Sequence, residues 1–71
     1  MDKLDLHGVR HEDAHRAVVR FVEKYWASGK EIYIVTGHSS KMRDIAKNIL
    51  DEYGLYYSAE VVSPKITVWM E

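Results

Sequence analysis

Residues 3–7, KLDLH, alternate polar and apolar with period two. That predicts a strand burying Leu4 and Leu6 on one face and presenting Asp5 and His7 on the other. Gly8 closes it. The period then lengthens: Ala14, Val18, Phe21, Val22 and Tyr25 recur at helical spacing and predict a helix over 11–28. Glu12 and Asp13 fall in its first turn, where the helix dipole favours acids, and Gly29 suits its stop. EIYIVT, residues 31–36, is a β-branched and aromatic run and reads as a second strand. After the turn GHSS, Met42, Ile45, Ala46, Ile49, Leu50 and Tyr53 share one side of a second helix, about 41–53, which Ser39 or Ser40 can cap. Gly54 ends it. LYYSAEVV, residues 55–62, forms a third strand, SPK a turn that suits its proline, and ITVWM a fourth.

Strand–helix–strand crossovers are right-handed. If the first three strands progress one way across the sheet, both helices lie on one face. The predicted architecture is an α/β two-layer sandwich in the order βαβαββ, with a four-stranded mixed sheet, an antiparallel final hairpin and an open second face. Residues 1–71 form a single domain. The first two strands are parallel neighbours, so His7-Gly8 and Thr36-Gly37-His38-Ser39-Ser40 emerge at one sheet edge, where ligands of parallel α/β sheets bind.

Several residue groups carry candidate chemistry. Asp5 and His7 are same-face neighbours, and a carboxylate beside an imidazole suits a general base; two solvated side chains are the plainer account. TGHSSK, residues 36–41, runs from a strand through a glycine into a helix start, an arrangement that favours an anion. Thr36, Ser39 and Ser40 add hydroxyls, while Lys41 and Arg43 add charge; an ordinary capped helix start explains the same letters. The spacing is not that of a nucleotide-binding P-loop. His11 and His15, four apart, have the spacing of a metal pair but no evident further ligands, so a solvated position is the better reading and no metal ligands are assigned. Tyr33, Tyr56, Trp69 and Tyr57 divide between the core and the open face, where rings can stack bases or meet a partner.

Composition narrows the classes. Ten Lys and Arg stand against eleven Asp and Glu, a net charge of −1 over 71 residues. A nucleic-acid binder usually shows basic excess, so any such role rests on a local patch. The chain has no cysteine, which favours a reducing, cytoplasmic setting over secretion. No segment is apolar and long enough for a membrane span. The first strand starts within a few residues of Met1, so no targeting segment is expected.

LDLHG at 4–8, followed by VTGHSS at 35–40, resembles the small MutS-related (Smr) domain family over nearly the whole chain. Leu4 to Gly8 match the family's opening L-D-L-H-G strand, and Glu12-Asp13-Ala14 resemble the start of its first helix. Thr36-Gly37-His38 match the start of its T-G-x-G motif, and Ile66-Thr67-Val68 resemble its last strand. The resemblance implies a fold similar to the C-terminal domain of translation initiation factor three, with the fourth strand between the second and third. It also implies nucleic-acid binding and endonuclease cleavage of a DNA or RNA backbone. The associated contexts are DNA repair or recombination on branched or nicked DNA, and cleavage of messenger RNA on stalled ribosomes. By motif, Asp5, His7, Thr36, Gly37 and His38 occupy the family's active edge. Two positions depart: Ser39 replaces the second glycine of T-G-x-G, and SPK replaces a glycine-rich turn. A backbone needing positive φ at Ser39 would be strained.

The expected chemistry makes His7, with Asp5, the general base. The loop from Thr36 to Ser40 holds phosphate, and His38 serves as general acid or as a phosphate contact. Arg10, Lys41 and Arg43 supply charge. RNA cleavage by an imidazole pair needs no cofactor; DNA hydrolysis calls for a metal such as Mg²⁺. The alternative is a non-catalytic nucleic-acid- or protein-interaction module. In that reading the open face, with its tyrosines and Trp69, binds a second copy or a larger protein.

Overall fold

The computed structural model describes residues 2–59 and 63–70. The elements run β1 (Lys3–Asp5), α1 (His11–Lys24), β2 (Glu31–Val35), α2 (Ser40–Glu52), β3 (Tyr56–Ser58) and β4 (Lys65–Trp69). The sheet order is β1-β2-β4-β3, with β1 and β2 parallel and β4 antiparallel to both its neighbours. This is the expected α/β sandwich, with the last strand inserted between the second and third.

Alternation builds the core. Ile32 and Ile34 of β2 face Val68 and Ile66 of β4 across the ladder, and Leu4 lies beside Ile34. Ala14, Val18 and Val22 of α1 and Met42, Ala46, Ile49 and Leu50 of α2 are buried against them. The two helices also pack on each other, so both lie on one face of the sheet. Each fully buried aliphatic side chain contributes about 1.5–3 kcal/mol, and the four strands share this one layer of contacts. The opposite face carries Lys3, Asp5, Glu31, Tyr33, Lys65, Thr67, Trp69 and Tyr56, and among the described residues no second layer covers it. Tyr33, Tyr56 and Trp69 thus belong to the open face. Tyr57 belongs to the helix side, where its hydroxyl donates to Asp51 Oδ1 at 2.8 Å.

Several boundaries differ from the sequence expectation. Helix α1 stops at Lys24 rather than 28, because the chain turns through Tyr25 and Ala27, the latter at φ 55°, before it reaches Gly29. The Tyr25 hydroxyl donates to Asp2 Oδ1 at 3.0 Å, a bond that lowers the Asp2 pKa and ties this turn to the start of β1. Strand β1 ends at Asp5 rather than His7, although the Leu6 N–H still donates to Val35 O at 2.8 Å. Strand β3 covers only Tyr56–Ser58; residues 60–62 of the expected strand lie outside the described residues.

Candidate functional site

Strands β1 and β2 end side by side, Asp5 opposite Val35, in adjacent strands about 4.8 Å apart. Beyond Asp5 the chain turns sharply. Gly8 takes φ 82°, open to glycine at little cost, and the Val9 N–H donates back to Leu6 O at 3.0 Å. His7 sits exposed on this turn. The Asp5 carboxylate meets it through the main chain: Oδ1 accepts the His7 backbone N–H at 2.8 Å. Asp5 therefore fixes the turn that carries the imidazole, and it sets a negative charge two residues away.

The second turn is anchored from a distance in sequence. Because β4 runs antiparallel to β2, its first residue, Lys65, lies opposite Val35, which brings residues 63–65 to the same edge. The Thr36 and Gly37 N–H groups both donate to Pro64 O, at 2.8 and 3.0 Å. The Thr36 hydroxyl donates to Gly37 O at 3.1 Å and lies 3.3 Å from Pro64 O. At 4 % exposure Thr36 is the one buried polar residue among the described residues. Arg43 Nη2 donates to Ser63 O at 3.0 Å. The amides of Thr36 and Gly37 and the guanidinium of Arg43, which the sequence suggests as phosphate contacts, are thus engaged in holding the loop against the start of β4.

Ser39 settles the departure from T-G-x-G. It takes φ −75° and ψ 115°, an extended backbone open to any residue, and its Oγ accepts the Met42 N–H at 3.2 Å. Serine works here as the N-cap of α2. With Met42 capped, the N–H groups of Ser40 and Lys41 occupy helix-start positions with no intrahelical acceptor.

Both helices begin at this edge, α1 four residues after His7 and α2 two after His38. Between them opens a shallow groove of about 540 Å³, lined by Arg10, His11, Glu12, Lys41 and Ile45. Arg10 Nη1 lies 3.4 Å from Glu12 Oε1; both are exposed, so this pair is worth little and leaves Arg10 available to an anion. The α2 start, with no acid in its first turn, and the side chains of Arg10 and Lys41 give the groove a positive side that the net charge of −1 conceals, while Glu12 and Asp13 offset the α1 start. On the adjoining open face Lys65 Nζ stands 4.6 Å from the centre of the Tyr33 ring. The Tyr33 hydroxyl donates to Glu31 Oε1 at 2.9 Å, which raises the Tyr33 pKa.

The structure therefore gathers His7, His38, Ser39, Ser40, Lys41 and Arg10 at one edge, and it uses Asp5, Thr36, Gly37 and Arg43 in main-chain hydrogen bonds that shape that edge. Sequence reasoning missed two contributors. His11, considered only as a metal ligand with His15, lines the groove, and its place at the first residue of α1 was the available signal. Pro64, seen only as a turn former, supplies the carbonyl that holds Thr36 and Gly37; no local pattern announces that contact. Among the described residues no three His, Asp or Glu side chains cluster as a metal site would require of an all-protein ligand set.

The family model for the Smr domain matches residues 4–66, spanning both turns and β1 through the start of β4. No curated protein and no solved structure gave a significant match.

Proposed function

This chain belongs to the Smr domain family, a family of nucleic-acid-binding, nuclease-like modules, and on that premise we propose that its β1–β2 edge binds RNA and cleaves its backbone. The observation that carries the reading is that the turns bearing His7 and His38 leave parallel neighbouring strands at one sheet edge, beside a groove that presents Arg10 and Lys41. Arg10, Lys41 and the helix-start amides of Ser40 and Lys41 hold backbone phosphates. His7, on the turn clamped by Asp5, takes the proton of a ribose 2′-hydroxyl. The 2′-oxygen attacks phosphorus, the bond from phosphorus to the 5′-oxygen breaks, and His38 protonates that leaving oxygen. The products are a 2′,3′-cyclic phosphate and a 5′-hydroxyl end. Each proton is moved by a group this edge offers, and imidazole is suited to both roles near neutral pH.

Cleavage and binding of a structured RNA hairpin and of a flap DNA, with and without Mg²⁺, test the proposal. Wild type should cut the RNA, with a bell-shaped dependence on pH. His7→Ala should lose about a hundredfold or more in rate while retaining affinity. Lys41→Ala should weaken binding and lower the slope of affinity against salt by about 0.7–0.9 for the one phosphate contact removed. A wild type that neither cuts nor binds in a salt-sensitive way overturns the reading. Cutting that survives in His7→Ala removes His7 as the base, and a flat profile between about pH 5 and 8 removes His38 as the acid.

A further inference from the structure

The helix C-termini and the starts of β2 and β3 lie at the other end of the molecule from the His7 edge. There Trp26, Tyr53, Gly54, Leu55, Tyr56 and Trp69 enclose a recess of about 170 Å³. The chain's exposed large hydrophobic side chains among the described residues are Trp26, Tyr56 and Trp69, at 53, 70 and 41 %, and all of them line this recess. They come from three separate segments: the turn after α1, β3 and β4. Trp26 meets Tyr53 edge to face, with centroids 5.7 Å apart. Three exposed rings brought together from distant parts of the sequence go beyond scattered surface hydrophobics, which need no explanation.

Charge decides what fits. Among the described residues no lysine, arginine or histidine lines the recess. The nearby cations sit by the turn after α1 rather than in the recess: Lys24 and Lys30 Nζ stand 5.4 and 5.8 Å from the centre of the Tyr25 ring, and Lys30 also lies 3.5 Å from Asp2. Helix α2 ends here with Asp51 and Glu52 and no basic residue in its last turn, and its cap, Tyr53, forms part of the wall. The N–H groups of Tyr53, Gly54 and Leu55 cap the last carbonyls, but the negative charge of Asp51 and Glu52 at this helix end meets no basic side chain in the same turn. A polyanion meets repulsion at such a site, whereas a cation meets ring faces and a negative helix end together. We propose that this recess binds an arginine or lysine side chain presented by a basic segment of a partner protein. The site is separate from the groove between Arg10 and Lys41 and does not depend on catalysis there.

Both tryptophans of the chain line the recess, so intrinsic fluorescence reports its occupancy directly. The probes are an acetylated, amidated Arg-Gly-Arg peptide, the same peptide with citrulline for arginine, and a short oligo-dT, all at matched ionic strength. The arginine peptide should shift the emission saturably, and the citrulline peptide should bind at least tenfold more weakly. Trp26→Ala and Tyr56→Ala, both at exposed positions, should each weaken the arginine peptide about tenfold, with Trp69 still reporting and circular dichroism unchanged. Glu52→Lys, which leaves every lining ring in place, should weaken it severalfold. Equal binding of the citrulline peptide overturns the cation assignment. Saturable binding of oligo-dT that is lost in Trp26→Ala overturns it in favour of base stacking. No response to the arginine peptide up to millimolar concentration, or a response that Trp26→Ala leaves intact, overturns the site itself.

Discussion

Ser39→Ala should destabilise the domain by about 1 kcal/mol, and Ser39→Gly by only a few tenths. The position matters because the family motif has glycine here, and two physical accounts give opposite signs for the glycine variant. Had the loop required a left-handed residue, serine would carry a steric cost of about 1–2 kcal/mol and glycine would relieve it. The observed φ of −75° removes that cost, and the Ser39 Oγ to Met42 N distance of 3.2 Å assigns the serine a cap instead. Alanine then loses the cap bond without any gain. Glycine also loses it, but exposes the helix-start amides to water, which replaces most of the bond. Urea unfolding followed by circular dichroism resolves the difference: with a slope of about 1 kcal/mol/M for so small a chain, the alanine midpoint should fall by about 1 M and the glycine midpoint by a third of that or less. A glycine variant more stable than wild type, or an alanine variant indistinguishable from it, would refute the cap and restore the strained-loop account.

Thr36→Val should cost about 0.5–1 kcal/mol in thermal unfolding. It removes the hydroxyl that donates to Gly37 O, yet leaves Pro64 O the N–H bonds of residues 36 and 37; a loss several times larger would mean that the hydroxyl organises more than this turn. A second test uses pH. The bond donated to Asp51, more than burial, raises the Tyr57 pKa above the ordinary 10.0. A raised folded pKa means that the contribution to stability is whole below pH 10 and is lost as the pH climbs through the folded value. Ultraviolet titration of the folded protein should show Tyr57 ionising late, and Asp51→Ala should bring that step back toward an ordinary tyrosine; an unchanged titration would refute the coupling.

The parts of the fold that were legible in the sequence are those written in local period. EIYIV and KITVW bury alternate residues as their letters dictate, and Met42, Ala46, Ile49 and Leu50 of the α2 stripe are buried as read, with Ile45 partly exposed at the groove. The end of α1 was not legible. Tyr25 and Trp26 continue the helical letters, but the first bonds to Asp2 and the second packs on Tyr53, so tertiary contacts end the helix before glycine can. At the edge, the residue types were legible and their uses were not. Asp5, His7 and the T-G turn could be picked out by motif, whereas only the coordinates show Asp5 bonding to main chain and Arg43 reaching Ser63.

That difference has a topological cause. The turn from Thr36 to Ser40 looks self-contained in sequence, a strand running through glycine into a helix. Its geometry is nonetheless set by Pro64, 28 residues away in sequence, which reaches it only because β4 inserts antiparallel beside β2. The N–H groups of residues 36 and 37 converge on that one carbonyl, with the Thr36 hydroxyl beside it. The placement of His38 and of the α2 start is thereby coupled to the formation of β4, a strand that carries none of the residues assigned to chemistry. The SPK turn replaces glycine-rich flexibility with a fixed acceptor. It is through this contact, rather than through any residue of LDLHG, that the far end of the chain can decide whether the edge is assembled.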